Sequence, residues 1–299
     1  MNKYIILIII VTQKIFIGQV NDIQLPKIPV VRLKPYAKMA SPHIVEASDL
    51  IKSRLWSNVY WTHNDSGDKA RIFPLRRDGT IIKPDWAQNY QGIIIPDAVN
   101  VDWEAITTDD QGNLIIGDCG NNSNTRRDLA LYIIREPYPS ETVITRVIKR
   151  IFFFYPDQKE IPPGKKNFDA EALFWLKGKI YILTKHQSDT YTKLYCIDNI
   201  DSTTEAELIL LEKFNTHSPV TGADISIDGS KLVILTTNSI WLFERDPSTT
   251  KFFSGKISWL PIDAKKIEAI CLDGDKMLIC NEEGELFELS LSELKIISE

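Results

Sequence analysis

One pattern restricts this chain more than its size or composition: an acidic residue followed by alanine opens strand-sized apolar segments again and again. The pairs stand in VEAS (45–48), DWEAI (102–106), DAEAL (169–173) and IEAI (267–270). A further segment, TGADISIDG (221–229), aligns with them and carries Ala223 at the matching place, with Asp224 beside it. Aligned on these points, the chain divides into five units. Unit one runs through HIVEASDLI, NVYWTHND, ARIFPLRRDG and GIIIPDAV. Unit two runs through VDWEAITTDDQG, NLIIGDCG, LALYIIREP and TRVIKRIFFFYP. Unit three has FDAEALFWLKG, KIYILTKHQ, KLYCIDN and AELILLEKF; unit four has TGADISIDG, KLVILTT, SIWLFERD and FFSGKISWLP. Unit five has KIEAICLDG, KMLICNE and ELFELS, and then stops.

The segments are short and rich in Val, Ile, Leu, Tyr, Phe and Trp, which is strand composition. Gly-containing turn signals follow the opening segments: QGN (111–113), KGK (177–179), DGS (228–230) and DGD (273–275). Helical periodicity is nearly absent; only SLSELKII (290–297) reads as a short helix. Four-stranded units recurring every roughly 45–65 residues predict an all-β fold, a β-propeller. The count is five blades. Six is the alternative and needs a further blade within 80–100 or 137–165. A β-sandwich would leave the phase between the acidic pairs and the turns without a cause. Unit five lacks a fourth strand, and IPVVRLKPY (28–36) is expected to supply it, joining the two ends and removing an exposed edge.

In a propeller the first strand of each blade lines the central channel. Antiparallel order then sends the entry to strand one and the loop between strands two and three to the same face. Glu46, Glu104, Glu171 and Glu268 are thereby predicted to gather near the axis, and two-residue alternation adds Asp102 and Asp169. The loops on that face, 62–70, 117–128, 184–193, 236–239 and 280–285, are rich in Asp, Asn, Thr, His and Gly; all four histidines, at 43, 63, 186 and 217, map there too. Crowded carboxylates raise one another's pKa. Two readings of them stand side by side. With Asp118 and Asp224 they supply hard oxygen ligands suited to Ca²⁺; or they accept hydrogen bonds from backbone N–H groups of the neighbouring blade. Asn64, Asp65, Asn121, Arg126 and Lys185 are candidate ligand-binding groups, Lys185 also as the counter-ion of Glu171. His63 and His186 are candidate general bases. Ser66, next to HND, has no nucleophile elbow around it. The tryptophans at 56, 61, 103, 175, 241 and 259 are assigned to the core between blades.

The composition, 43% hydrophobic and 25% charged with a net charge of -5, is that of a globular protein. No basic cluster is present of the kind that neutralises nucleic-acid phosphates. MNKYIILIIIVTQKIFIG (1–18) has a basic start, an apolar run and a small residue at its end, and reads as a secretory signal peptide. Export to the periplasm or medium follows, with residues 19–299 as one monomeric propeller without a membrane span. Cys119, Cys196, Cys271 and Cys280 lack metal-ligand spacing. Pairing strands about LDGDK sets Cys271 opposite Leu278 and Cys280 opposite Ala269, an offset that disfavours a disulfide.

The ordered motifs NDSGD (64–68), DWEAI, GDCGNN (117–122) with Arg126, DAEAL, the Thr184–Lys185 pair and TGADISIDG resemble a family of secreted bacterial propeller proteins of poorly defined function. The resemblance covers about residues 43–275. More distantly the motifs are similar to esterase-like and phytase-like propeller domains and to calcium-containing six-bladed hydrolase and lactonase propellers. The resemblance implies a site centred on Asp65, Glu104, Asp118 and Glu171. It departs at Asn122, where members often carry Asp. Two functions are expected in consequence: a ligand-binding or scaffold module for a small molecule or surface protein, or a metal-dependent hydrolase of esters, lactones or phosphoesters.

Overall fold

Alternating apolar residues bounded by glycine turns can bury a face only by stacking sheet on sheet, and the chain does so around one axis. The computed structural model describes residues 23–198, 200 and 205–298; residues 1–18, expected to be a signal peptide, lie outside them. Two short strands come first, β1 (Val31–Arg32) and β2 (Ala37–Lys38). Blade one is β3 (Ala47–Lys52), β4 (Tyr60–Asn64), β5 (Arg71–Leu75) and β6 (Ile93–Ile94). Blade two is β7 (Trp103–Thr108), β8 (Asn113–Asp118), β9 (Ala130–Arg135) and β10 (Val147–Phe154). Blade three is β11 (Asp169–Leu176), β12 (Lys179–Lys185), β13 (Tyr191–Ile197) and, after β14 (Glu205–Glu207), β15 (Ile209–Asn215). Blade four is β16 (Val220–Ile225), β17 (Lys231–Thr236), β18 (Ser239–Glu244) and β19 (Lys256–Asp263). Blade five is β20 (Ile267–Asp273), β21 (Lys276–Asn281) and β22 (Glu285–Ser290). The protein is a five-bladed β-propeller, and the segments 80–100 and 137–165 contain no sixth blade.

The ring closes through the N-terminal segment, one step later than expected. Ala37 and Lys38 pair antiparallel with Leu286 and Glu285 as the fourth strand of blade five. Most of 28–36 has another role: β1 runs parallel to the outer strand of blade four, Val31 opposite Ile262. The C-terminal segment forms a single 3₁₀ turn at Leu291–Glu293, followed by β23 (Lys295–Ser298) on the same outer strand. The turn starts at a capping box in which Ser290 and Glu293 bond reciprocally, but the backbone becomes extended at Leu294, so the helix expected over 290–297 ends after one turn. Blade two is edged in the same way by β14, parallel to β10. These additions cover outer edges that would otherwise offer unpaired amides.

The core lies between blades. One apolar cluster spans blades five, one and two; the others fill the two–three, three–four and four–five interfaces. Trp61, Trp103, Trp175 and Trp241 are fully buried in these layers. The four cysteines are free and buried, and the offset register Cys271–Leu278 and Cys280–Ala269 is present as predicted. Tight inner hairpins rest on glycines with positive φ, among them Gly178 (φ 83°) and Gly274 (φ 70°), a conformation that costs other residues strain.

Every inner strand also contains a β-bulge at the same place. Register shifts fall between Ala47 and Asp49, Trp103 and Ala105, Ala170 and Ala172, Val220 and Gly222, and Ile267 and Ala269. The extra residues are Ser48, Glu104, Glu171, Thr221 and Glu268. The true ring therefore differs from the Glu-Ala alignment in two blades. Ser48, and not Glu46, stands in register with Glu104; Thr221, and not Ala223 or Asp224, stands there in blade four. Counting along the sequence fails because a bulge adds a residue without changing composition.

Inner-strand amides at the axis need acceptors, and two aspartates supply them. Asp49 accepts from its neighbour Leu50 and from Ile106 of blade two, both at 2.7 Å. Asp224 accepts from Ile225 and from Leu272 of blade five, both at 2.8 Å. Replacing Asp49 with Ala leaves both amides buried and unpaired, a cost of roughly 2–4 kcal/mol. The expected result is a fall in Tm of about 3–7 °C in a chain of this size, with Asp49→Asn losing less than half of that; thermal melting measures both.

Candidate functional site

The bulges decide which side chains reach the upper mouth of the channel. A bulge turns its extra residue out of the pleat, so Glu104, Glu171 and Glu268 approach one another from three consecutive or near-consecutive blades. Ser48 completes the contact on one side, its hydroxyl donating to Glu104 Oε2 at 3.2 Å. Glu104 and Glu171 are almost wholly enclosed, at 7% and 2% exposure.

A tighter group forms beside Glu104. Carboxylate oxygens of Asp65, Asp102 and Glu104 lie within 4.8 Å of one another. Asp65 arrives on the loop after β4, fixed where its amide donates to Glu46 O (2.9 Å) and its carbonyl accepts from the Asn100 side chain (2.8 Å). Asp102 precedes β7, and its carbonyl takes the amides of Cys119 and Gly120. That turn pins Gly120 against the acids: a Cβ there would stand 2.5 Å from Asp102 Oδ2 and from Glu104 Oε1. A side chain at this position would therefore push the two carboxylate ends apart.

Electrostatics follow from burial and crowding. Burial, then the charges of Asp65 and Asp169, push Asp102 up to about 6. Burial, then Glu171 and Asp65, drive Glu104 well above the usual carboxylate range. Glu171 is raised in the same way, by burial and Asp169, against the pull of Lys185. Burial raises Glu268 to about 7. Asp169 is also raised by burial, opposed by the Asn121 amide. Lys185 is the cation inside this group, its Nζ 3.0 Å from Glu171 Oε1.

The other predicted residues have different positions. Glu46 is exposed on the rim, in the field of Lys266. Asp118 is engaged by Arg126 (3.0 Å) and by the Asp102 amide (3.0 Å); Arg126 also donates to Gly120 O and Asp128. Asp224 is the backbone acceptor described above and lines the opposite end of the channel. Asn64 uses its amide on Val45 N, Glu46 N, His43 O and Asp68. Asn121 joins blades two and three: its backbone amide donates to Asp169, its side-chain Nδ2 donates to Phe168 O, and its side-chain Oδ1 accepts from Arg126 N. The backbone-acceptor reading therefore holds for Asp118, Asp169 and Asp224, as it does for Asp49; Asp65 also accepts the amide of Ser66, and together with Asp102 and Glu104 it shares a small volume.

The two histidines are core residues. His63 is fully buried, packed edge-on against Trp103 with ring centres 5.7 Å apart, and burial lowers its pKa to about 4. His186 is buried against Asp189, Nδ1 to Oδ1 2.6 Å, and burial outweighs that partner to leave it at about 4. Ser48, Asp49, Gly120 and Thr221 were not singled out from sequence as site residues. Gly120 alone carried a local signal, as the second glycine of GDCGNN beside the acidic motif.

No family model matches this chain, and no curated protein matches it. Solved structures with similar coordinates include that of U3-55K (10% identity, TM-score 0.42, covering 84% of this chain and 63% of that one). Another is the PQQ-bound aldose sugar dehydrogenase of Streptomyces coelicolor (10% identity, TM-score 0.48, covering 86% of this chain and 97% of that one). A third is PorZ, a surface component of the type-IX secretion system of Porphyromonas gingivalis (13% identity, TM-score 0.34, covering 87% of this chain and 27% of that one). This chain spans less than two thirds of the U3-55K chain and about a quarter of PorZ.

Lys185→Met removes the cation from Glu171 while leaving its stem. A buried carboxylate stripped of its partner costs roughly 2–4 kcal/mol at neutral pH, less than for a fully enclosed pair because Lys185 is partly exposed. At lower pH the raised carboxyl of Glu171 takes up a proton more readily and the loss shrinks. Melting of the variant against the parent at neutral and lower pH measures this.

Proposed function

We propose that this chain is an exported β-propeller that binds Ca²⁺ at the upper mouth of its channel and uses that face as a ligand-binding or scaffold surface. The observation that carries the reading is the convergence of Asp65, Asp102 and Glu104 against Gly120, where a side chain would push the carboxylates apart. Oxygens bound to one Ca²⁺ at ~2.3–2.6 Å are at most about 5 Å apart, and this group meets that limit. Water would fill the remaining positions, and the exposed side of the loop at 65–68 leaves the ion reachable by an anionic or hydroxyl-rich partner. The motif resemblance to secreted bacterial propellers and the signal-peptide pattern of residues 1–18 support export. Among the described residues no helix is long and apolar enough to cross a membrane.

The binding reading is preferred to the hydrolase because water activation at this mouth needs a reachable base. His63 and His186 are enclosed and held neutral by burial. A bound ion could still polarise an ester or phosphoester oxygen, so a hydrolase panel with Ca²⁺ is the counter-test.

The carboxylates give the reading a pH signature. Asp102, Glu104, Glu171 and Glu268 have folded pKa values above their unfolded ones, so the folded chain holds more protons over this range. Stability then falls as pH rises from about 4 to about 7 in chelator. Bound Ca²⁺ replaces those protons and flattens the slope. Expected outcomes are about one Ca²⁺ per chain by elemental analysis and calorimetry, a Tm at pH 7 that drops in EDTA, and loss of both in Glu104→Gln and Asp102→Asn. A chain without metal whose melting ignores EDTA and Ca²⁺ would remove the proposal. For export, N-terminal sequencing of protein recovered outside the cytoplasm should begin at Gln19.

A further inference from the structure

The opposite mouth of the channel holds a cavity of about 580 Å³ whose walls come from the inner-strand ends of blades one, two, four and five. Its lining is part apolar and carries both signs of charge. The apolar part is Ile51, Ile225, Ile227 and Leu272; the charged groups are Lys52, Arg54, Asp224, Asp228 and Lys231. The acids are already served. Asp224 accepts two backbone amides, and Asp228 is held by Ser226 and Ser230. Glu136, which lies near Arg54, takes Ser53 and the Trp61 indole. Lys52 is neutralised by Asp273. Arg54 and Lys231 remain: among the described residues neither side chain makes an ion pair or hydrogen bond, although Arg54 sits in the field of Asp224 and Glu136.

We propose that this cavity is a second binding site, for a small ligand with an oxyanion head and an aliphatic body. Arg54 and Lys231 receive the carboxylate or phosphate, and Ile51, Ile225 and Ile227 receive the chain. The volume lies within the range of small-molecule sites, which combine apolar walls with a few placed polar groups. A guanidinium binds either oxyanion in bidentate fashion. Ile227, 77% exposed on the lip, is an apolar side chain that the fold itself does not bury; a ligand chain would cover it. The site is independent of the acidic mouth, and Ca²⁺ does not enter its chemistry.

The test is calorimetric or ligand-observed NMR titration of the purified chain with hexanoate, hexyl phosphate, hexylamine and hexanol, in Ca²⁺ and in EDTA. Hexanoate or hexyl phosphate, or both, should bind in both buffers, and whichever binds names the head group. Hexylamine and hexanol should bind at least about tenfold more weakly, the value of one charge-assisted hydrogen bond. Arg54→Gln and Lys231→Gln should each weaken anion binding about tenfold. Ile227→Asp, an exposed change that leaves the core intact, should abolish it by placing a carboxylate at the entrance. Neither anion binding, hexanol binding as well as hexanoate, or Ile227→Asp binding like the parent would each overturn the proposal. Because the titration is repeated in EDTA, its result does not depend on whether the upper mouth holds metal.

Discussion

Each blade of this propeller presents one bare strand edge to the axis, and five such edges meet there. Inner-edge amides must find acceptors there without bulk water. Asp49 and Asp224 are the clearest solution: each carboxylate joins its own strand to the inner strand of the next blade. Close approach has a second consequence. At Gly222 a Cβ would stand 3.0 Å from the carbonyl oxygen of Glu268, so blades four and five touch backbone to backbone near the upper mouth.

The bulges answer the same constraint in another way. Ending the regular ladder one residue early in every inner strand turns five side chains towards the axis. Three of these are glutamates. Their mutual repulsion, raised by burial, is opposed by one lysine and by the hydroxyl of Ser48. Such an arrangement stores unfavourable charge at neutral pH, and a cation is the simplest group that relieves it without protonation. The lower mouth shows the complementary imbalance: its acids are hydrogen-bonded and two cations are left over. The two ends of the channel therefore differ: acids crowd the upper mouth, whereas the lower one is lined by both signs of charge.

Much of this was legible in the sequence. The inner-strand turns at Gly112, Gly178, Gly229 and Gly274 are announced by their dipeptides, and the offset of Cys271 and Cys280 follows from the turn between them. Lys185 was placed beside Glu171 because both end on the same face. The errors cluster where the chain departs from two-residue alternation. VEAS looks like a copy of DWEAI, but it is Ser48 that occupies the bulge. The repeat of an acid and an alanine was partly a coincidence of composition. His63 and His186 stand at the start of polar loops in sequence yet pack inward, which no local pattern reports.

The sequence by itself determined the number of blades, the order of strands and the face on which the acids would gather, because those depend on hydrophobic period and turn chemistry, both local properties. Only the tertiary structure decided which acids meet. Asp65, Asp102 and Glu104 come from two blades and converge through a bulge and the turn at Gly120, and Asp224 is drawn instead to an amide 48 residues away. Hydrogen-bond acceptance and charge crowding depend on distances between strands, and those are fixed only when the ring has closed.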